Sequence, residues 1–225
     1  MQPFMNIFDI LGPVMVGPSS SHTAGAARMG YMTRRLLGEE PVKAHIGMYG
    51  SFAATGKGHG TDKALVGGLL GMQPDDMDIP VSFDIAKKRG LDIEIETVNL
   101  RDAHPNTAVI TAEGISGRTV KVQASSLGGG RIMINKLDDI EVNCSCEIPT
   151  LIIHNQDTPG YVADITLRLL EHDVNIANMS LYRRKRGGVA VMVIEVDQPI
   201  PAETIKRLES RKGIIKVTYI DIGEN

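Results

Sequence analysis

The order of elements in the last third of the chain limits its fold more than anything else in the sequence. From Ile148 onward the pattern reads strand Leu151–His154, turn Gln156-Asp-Thr-Pro-Gly160, helix Tyr161–His172, strand Asn175–Tyr182 and basic turn Arg183–Gly188. Strand Val189–Val196, helix Ala202–Arg211 and strand Ile214–Ile222 complete it. A βαββαβ order of this length predicts a ferredoxin-like unit, two split βαβ halves that lay both helices on one face of an antiparallel sheet. That fold hosts many functions, so chemistry has to be sought in particular residues.

The preceding residues have a different character, and the change at Glu147-Ile148-Pro149 divides the chain into domains 1–147 and 148–225. In the first, small and apolar residues recur at helical spacing from Thr23 to Leu37, with the Ser/Thr run before them as N-cap and Gly38 as the stop. Val42–Tyr49 reads as a strand. Gly60–Leu70 reads as a helix capped by Thr61-Asp62, and Ile79–Arg89 as a helix closed by Gly90. Leu91–Val98 alternates as a half-buried strand does. Thr107–Ala112, Thr119–Ser125, Arg131–Asn135 and Glu141–Asn143 are short strands separated by turns. The whole chain is therefore expected to be α+β.

Composition narrows function by exclusion. With 24 basic against 27 acidic residues the net charge is −3, which leaves no surplus with which to neutralise phosphates, and no Trp is available for base stacking. Nucleic acid is not an expected partner, and the basic run Arg183–Arg186 reads as a solvated turn tip. No apolar run approaches the ~20 residues of a membrane span, and Met1–Ile10 has no signal-peptide pattern, so a cytoplasmic location is expected. The two cysteines, Cys144 and Cys146, are too close for an ordinary structural disulfide and too few to hold an iron–sulfur cluster or a structural zinc. His45, His104, His154 and His172 show no metal-ligand spacing.

Two segments carry more polar chemistry than local structure needs. Gly17-Pro-Ser19-Ser20-Ser21-His22-Thr23-Ala-Gly25 sets four hydroxyls and an imidazole at a helix start, where free N–H groups and the helix dipole favour a carboxylate. A cap requires one hydroxyl, not four. In Tyr49-Gly-Ser-Phe-Ala-Ala-Thr-Gly56-Lys-Gly58-His59-Gly60-Thr-Asp62 the glycine spacing misses a phosphate-binding P-loop by one residue, and Gly58 stands where its Ser/Thr belongs. His59 remains, between two glycines that leave its ring uncrowded, and imidazole is the side chain able to accept a proton near neutral pH. Pro105-Asn106 and Gly128-Gly-Gly130 read as turns.

These motifs, together with Phe8-Asp-Ile-Leu-Gly-Pro13 and His104-Pro-Asn-Thr-Ala108, resemble the beta chain of iron–sulfur-dependent L-serine dehydratases, and the resemblance covers essentially the whole chain. The tail, with Asn155-Gln-Asp-Thr-Pro-Gly160 and Val174-Asn175-Ile-Ala177, is similar to ACT domains, which commonly bind amino-acid effectors. The resemblance implies an N-terminal α+β domain of the allosteric-substrate-binding type followed by an ACT domain. It implies a separate alpha subunit that carries a [4Fe–4S] cluster, which would account for the missing thiolates. It also implies deamination of L-serine: the iron acts as Lewis acid on the hydroxyl, a base removes the α-proton, water leaves, and the aminoacrylate becomes pyruvate and ammonia. His59 is the expected catalytic base with His22 its rival, and Ser19, Ser20, Ser21, His22 and Thr23 are expected to hold the substrate. Asn155, Asp157, Gly160 and Asn175 are expected to bind an amino-acid effector, no residue is expected to bind metal, and edge strands of the tail are expected to join copies of the chain. The competing expectation is a stand-alone amino-acid-binding regulator without turnover, which has no need of a solvent-reachable base beside its ligand.

Overall fold

A computed structural model describes residues 14–221, except the side chain of Lys57. Residues 8–13 of the first motif and Ile222 of the last expected strand lie outside the described residues. The chain divides into two compact units, 1–139 and 140–225.

The first unit begins with a single π-helical turn, Ser20–Ala24, that runs directly into helix α1 (Gly25–Leu37). Ser19 caps the turn, accepting the His22 backbone N–H, and Gly38 ends α1 in the left-handed region. Strand β1 (Pro41–Gly50) leads into α2 (Ser51–His59), and α3 (Thr61–Leu69) follows. A 3₁₀ turn, Ile79–Val81, precedes α4 (Ser82–Arg89). The strands β2 (Asp92–Thr97), β3 (Asn106–Gly114), β4 (Thr119–Gly128) and β5 (Arg131–Leu137) complete the unit. They lie in the order β2-β1-β3-β4-β5, with β1–β2 parallel and the other pairs antiparallel.

Three local expectations are corrected. Residues 51–59, for which the sequence suggests no helix, are helical, and His59 is the last residue of α2. The N-cap of α3 is Gly60; Thr61 and Asp62 are its first residues, and the Asp62 carboxylate accepts the neighbouring Lys63 N–H. The third helix starts as a 3₁₀ turn, Ile79–Val81, and is α-helical only from Ser82.

Helix α1 packs on β3, β4 and β5 and against α3, and Met29, Leu36, Ile46, Leu65, Ile110 and Ile132 form the core between them. The two helices touch backbone to backbone. A Cβ on Gly30 would stand 2.1 Å from the Leu65 carbonyl oxygen, and one on Gly68 would stand 2.0 Å from that of Ala27. The bare glycines therefore set the spacing of α1 and α3, and with it the position of the turn that α1 carries at its N-terminus.

The second unit opens with β6 (Ile140–Cys144), which packs on β8 and β9. Then follow β7 (Thr150–Gln156), α5 (Tyr161–Leu170), β8 (Ile176–Arg183), β9 (Val189–Val196), α6 (Ala202–Glu209) and β10 (Ile214–Ile220). The four-stranded sheet runs β10-β7-β9-β8 and is antiparallel throughout, the ferredoxin-like order that the sequence predicts. Leu151, Ile153, Ile165, Leu169, Ile194 and Leu208 join sheet and helices in one core. Helices α5 and α6 stop two residues short of their expected ends, where turns at 171–173 and 210–213 close them.

Candidate active site

The fold brings five separate sequence segments to one place in the first unit. The π-helical turn places His22 part-buried, with its Nδ1 3.0 Å from Ser21 Oγ and 3.4 Å from Ser19 Oγ. Its Nε2 lies 3.0 Å from the hydroxyl of Ser51, the first residue of α2. At the other end of α2 the His59 ring, exposed, stands 5.2 Å from the His22 ring between centroids. Thr23 links the same ends, its hydroxyl donating to the His59 carbonyl oxygen at 3.3 Å. The glycine turn after β4 also reaches this cluster: the Gly129 N–H donates to Ser20 Oγ at 3.3 Å. The fifth segment is His104-Pro105-Asn106, whose Pro105 carbonyl accepts the Ser51 N–H at 2.8 Å.

The backbone explains why Ser51 is available. Gly50 ends β1 at φ 58°, ψ −124°, a conformation open to glycine, and a Cβ there would stand 2.6 Å from the Pro105 oxygen. The chain thus turns sharply from strand into helix, and no side chain caps α2. Burial, and next the proximity of His59, hold the His22 imidazole below its ordinary pKa, against a smaller opposing effect of its contact with Ser51. A neutral His22 beside an open His59 lets one ring of the pair take a proton without meeting a second positive charge.

Sequence reasoning gave Ser19–Thr23 one shared task, holding the substrate, whereas in the structure their hydroxyls have separate protein partners. Ser19 is a cap, Ser20 receives Gly129, Ser21 holds His22, and Thr23 is buried against His59. Ser51 was missed. Only the sharp turn implied by Tyr-Gly-Ser between a strand and the histidine motif could have drawn attention to it. His104 donates no ring proton through Nδ1, which instead accepts the Asn106 N–H at 3.1 Å.

A second candidate site lies in the second unit, where a cavity of about 470 Å³ opens at the start of α5. Asn155, Asp157, Gly160, Tyr161, Arg186 and Met192 line it. Asn155 Oδ1 is buried and has no hydrogen-bond partner among the described residues, its amide nitrogen being used on the Gln156 carbonyl. The Asp157 carboxylate accepts the Gly187 N–H at 2.8 Å and pairs with Arg183 at 2.7 Å. These contacts, Gly187 foremost, hold it below the usual carboxylate range. The basic turn is therefore not a merely solvated tip: Arg183 and Arg186 both face this cavity. Asn175 is not brought here. It precedes β8 at the end of the sheet marked by Val196, whereas Asn155 pairs at the end marked by Ala190 and Arg183, and its side chain bonds Asp197.

The two thiols, Cys144 and Cys146, are buried with their sulfurs 3.2 Å apart. They do not fit a cubane cluster, which takes three or four thiolates, and the chain has no third cysteine. Among the described residues no helix is long and apolar enough to cross a membrane.

Comparison with known proteins agrees with both halves of this description. Residues 6–137 match the family model described as "Serine dehydratase beta chain", and residues 149–213 match the ACT domain. The chain is 42% identical over 217 residues to the probable L-serine dehydratase beta chain of Bacillus subtilis, covering 96% of this chain and 98% of that one. It is 36% identical over 216 residues to the L-serine dehydratase beta chain of Peptoniphilus asaccharolyticus, covering 96% and 97%. It is also 28% identical over 238 aligned residues to an L-serine dehydratase of Mycobacterium tuberculosis, where it covers 94% of itself but 50% of that protein. With both histidine motifs folded into one cluster and the similarity running nearly end to end, the chain belongs to the serine dehydratase beta-chain family and carries an ACT domain at its C-terminus.

Proposed function

We propose that this chain is the beta subunit of an L-serine dehydratase and completes the active site of a separate alpha subunit. The observation that carries the proposal is the pairing of an exposed His59 with a hydroxyl-held His22, 5.2 Å apart, where the two histidine motifs meet. The relative from M. tuberculosis, matched over half its length, leaves room for what a second chain would supply here. The expected iron–sulfur cluster belongs to that second chain, since two buried cysteines in contact cannot ligate one; no step below runs through it.

On this reading His59 is the base. The serine α-proton is weakly acidic, and an imidazole open to solvent and flanked by glycines can take it. The π-helical turn holds the substrate, its hydroxyls offering donors to the carboxylate while His22 supplies a neutral wall. A hydroxyl that accepts from a backbone N–H, as Ser20 does from Gly129, still has its own proton to donate. The lyase activity then belongs to the mixed complex, the chain alone holding half a site.

The test is anaerobic pyruvate formation from L-serine by this chain, alone and mixed with a cluster-loaded alpha chain. Turnover is expected only in the mixture, and His59→Gln is expected to lower it by at least ~10²-fold. Full retention in His59→Gln with loss in His22→Gln would transfer the base to His22. Serine binding without turnover in the mixture would favour the stand-alone regulator instead.

The ACT unit binds an amino-acid effector at the α5 cavity, where Asn155 Oδ1 offers an unused acceptor to an ammonium group and the N–H groups after Gly160 face a carboxylate. Asn175 belongs to this site only if a second copy adds its β8 antiparallel to this edge. A two-fold pairing sets the beginning of one strand beside the end of the other, and so carries the second copy's β8 start toward this Arg183.

A further inference from the structure

We propose that Ser51 is a positioning residue for the lyase reaction: its hydroxyl on Nε2 fixes the ring and the tautomer of His22, leaving His59 as the open imidazole. This inference rests on the reading of the site as that of a dehydratase.

Three observations support it. The N-cap position of α2 belongs to Gly50, so the Ser51 hydroxyl, on the first helical residue, has no capping task, and it goes to a ring 29 positions earlier in the chain. The serine itself is held at three points. Its N–H is bound to Pro105, its carbonyl accepts the Thr55 hydroxyl at 2.8 Å, and the preceding Gly50 is at φ 58° with no room for a side chain beside Pro105. A hydroxyl on so constrained a backbone is a fixed reference point rather than a mobile surface group.

The third observation is the symmetry of the ring's surroundings. Ser21 Oγ and Ser51 Oγ each stand 3.0 Å from one nitrogen of His22, and the Phe52 ring meets the imidazole edge-on with centroids 5.3 Å apart. A neutral imidazole has one donor and one acceptor nitrogen, and each needs the complementary role from its partner. Neither hydroxyl selects a tautomer by itself, but Ser21 also contacts Ser19, which already accepts the His22 N–H, so the proton directions on the Nδ1 side are coupled in a chain, and Ser51 has to take the complementary role at Nε2 that closes its other end. Removing the Ser51 hydroxyl leaves Nε2 unclaimed: both tautomers become accessible, and His22 becomes a second open nitrogen beside the substrate.

The experiment has two readouts on the full chain. Long-range ¹H–¹⁵N spectra report the His22 tautomer in wild type, Ser51→Ala, Ser51→Thr and Ser51→Cys, and steady-state turnover is measured after mixing each with the cluster-loaded alpha chain. Wild type and Ser51→Thr are expected to show one tautomer. Ser51→Ala is expected to show an average of two and to lose kcat roughly tenfold with KM within about twofold, Ser51→Thr recovering most of the loss. Ser51→Cys keeps the side-chain size with a weaker hydrogen-bonding group, so it is expected to fall between, and it serves if Ser51→Ala does not fold. An unchanged tautomer, an unchanged kcat, or a loss confined to KM in the folded alanine or cysteine variant would overturn the role of Ser51. Absence of turnover with the wild-type chain would instead overturn the dehydratase reading, and the role with it.

Discussion

At the scale of residues, the site is decided by two imidazoles in different surroundings. His22 is part-buried, held at both nitrogens and depressed in pKa; His59 is exposed at a helix end. The depression has a consequence for stability. Below pH ~6.5 the unfolded chain takes up a proton at this histidine that the folded chain refuses, so the contribution of His22 is complete above that pH and is lost as the pH falls toward its lowered folded value. Urea unfolding of the full chain is expected to lose midpoint between about pH 7 and about pH 5 more steeply in wild type than in His22→Gln. Equal slopes for the two proteins would show that the environment of His22 does not disfavour its charge. Most of the cluster is legible as letters, because Ser19–Thr23 and Lys57–Asp62 are dense in groups that simple caps do not need. Ser51 is not, since a single serine gains meaning only from what lies across from it.

At the scale of elements, local propensity misleads where tertiary contacts compensate for it. Residues 51–59 contain two glycines and a threonine, poor material for a helix, yet they form one between the Gly50 turn and the Gly60 turn, with Phe52 fully buried. Conversely, Gly30 and Gly68 sit inside α1 and α3, where alanine would favour the isolated helix. Their lack of a side chain permits the backbone contact of the two helices, so Gly68→Ala is expected to destabilise the chain by about 1–3 kcal/mol despite its better propensity. Thermal or urea unfolding checks this, and a stabilised variant would mean that the helices can separate at little cost. Because α1 carries the π-helical turn, the same substitution is expected to move His22 relative to His59.

At the scale of the whole molecule, each unit has its own core and its own candidate site, and the second leaves β8 at an unpaired edge of its sheet with Leu181 46% exposed. Lysine on an edge strand opposes pairing with another copy. The wild-type chain is therefore expected to self-associate in sedimentation experiments and Leu181→Lys to do so more weakly, with calorimetric amino-acid binding confined to the associated form. A wild-type chain that stays monomeric yet binds an amino acid would place the effector site within one copy. The α+β class, the βαββαβ order of the tail and the residues of the two histidine motifs follow from the sequence by itself, because periodicity, turn residues and the local density of polar groups are properties of neighbours along the chain. Which hydroxyl meets which ring nitrogen, that Gly129 and Pro105 reach the same cluster, and that Asn155 and Asn175 stand at opposite ends of a sheet were decided only by the tertiary structure. The long-range contacts among these join residues 29 to 109 positions apart, set by strand register and helix packing, and no pattern along the chain encodes such distances.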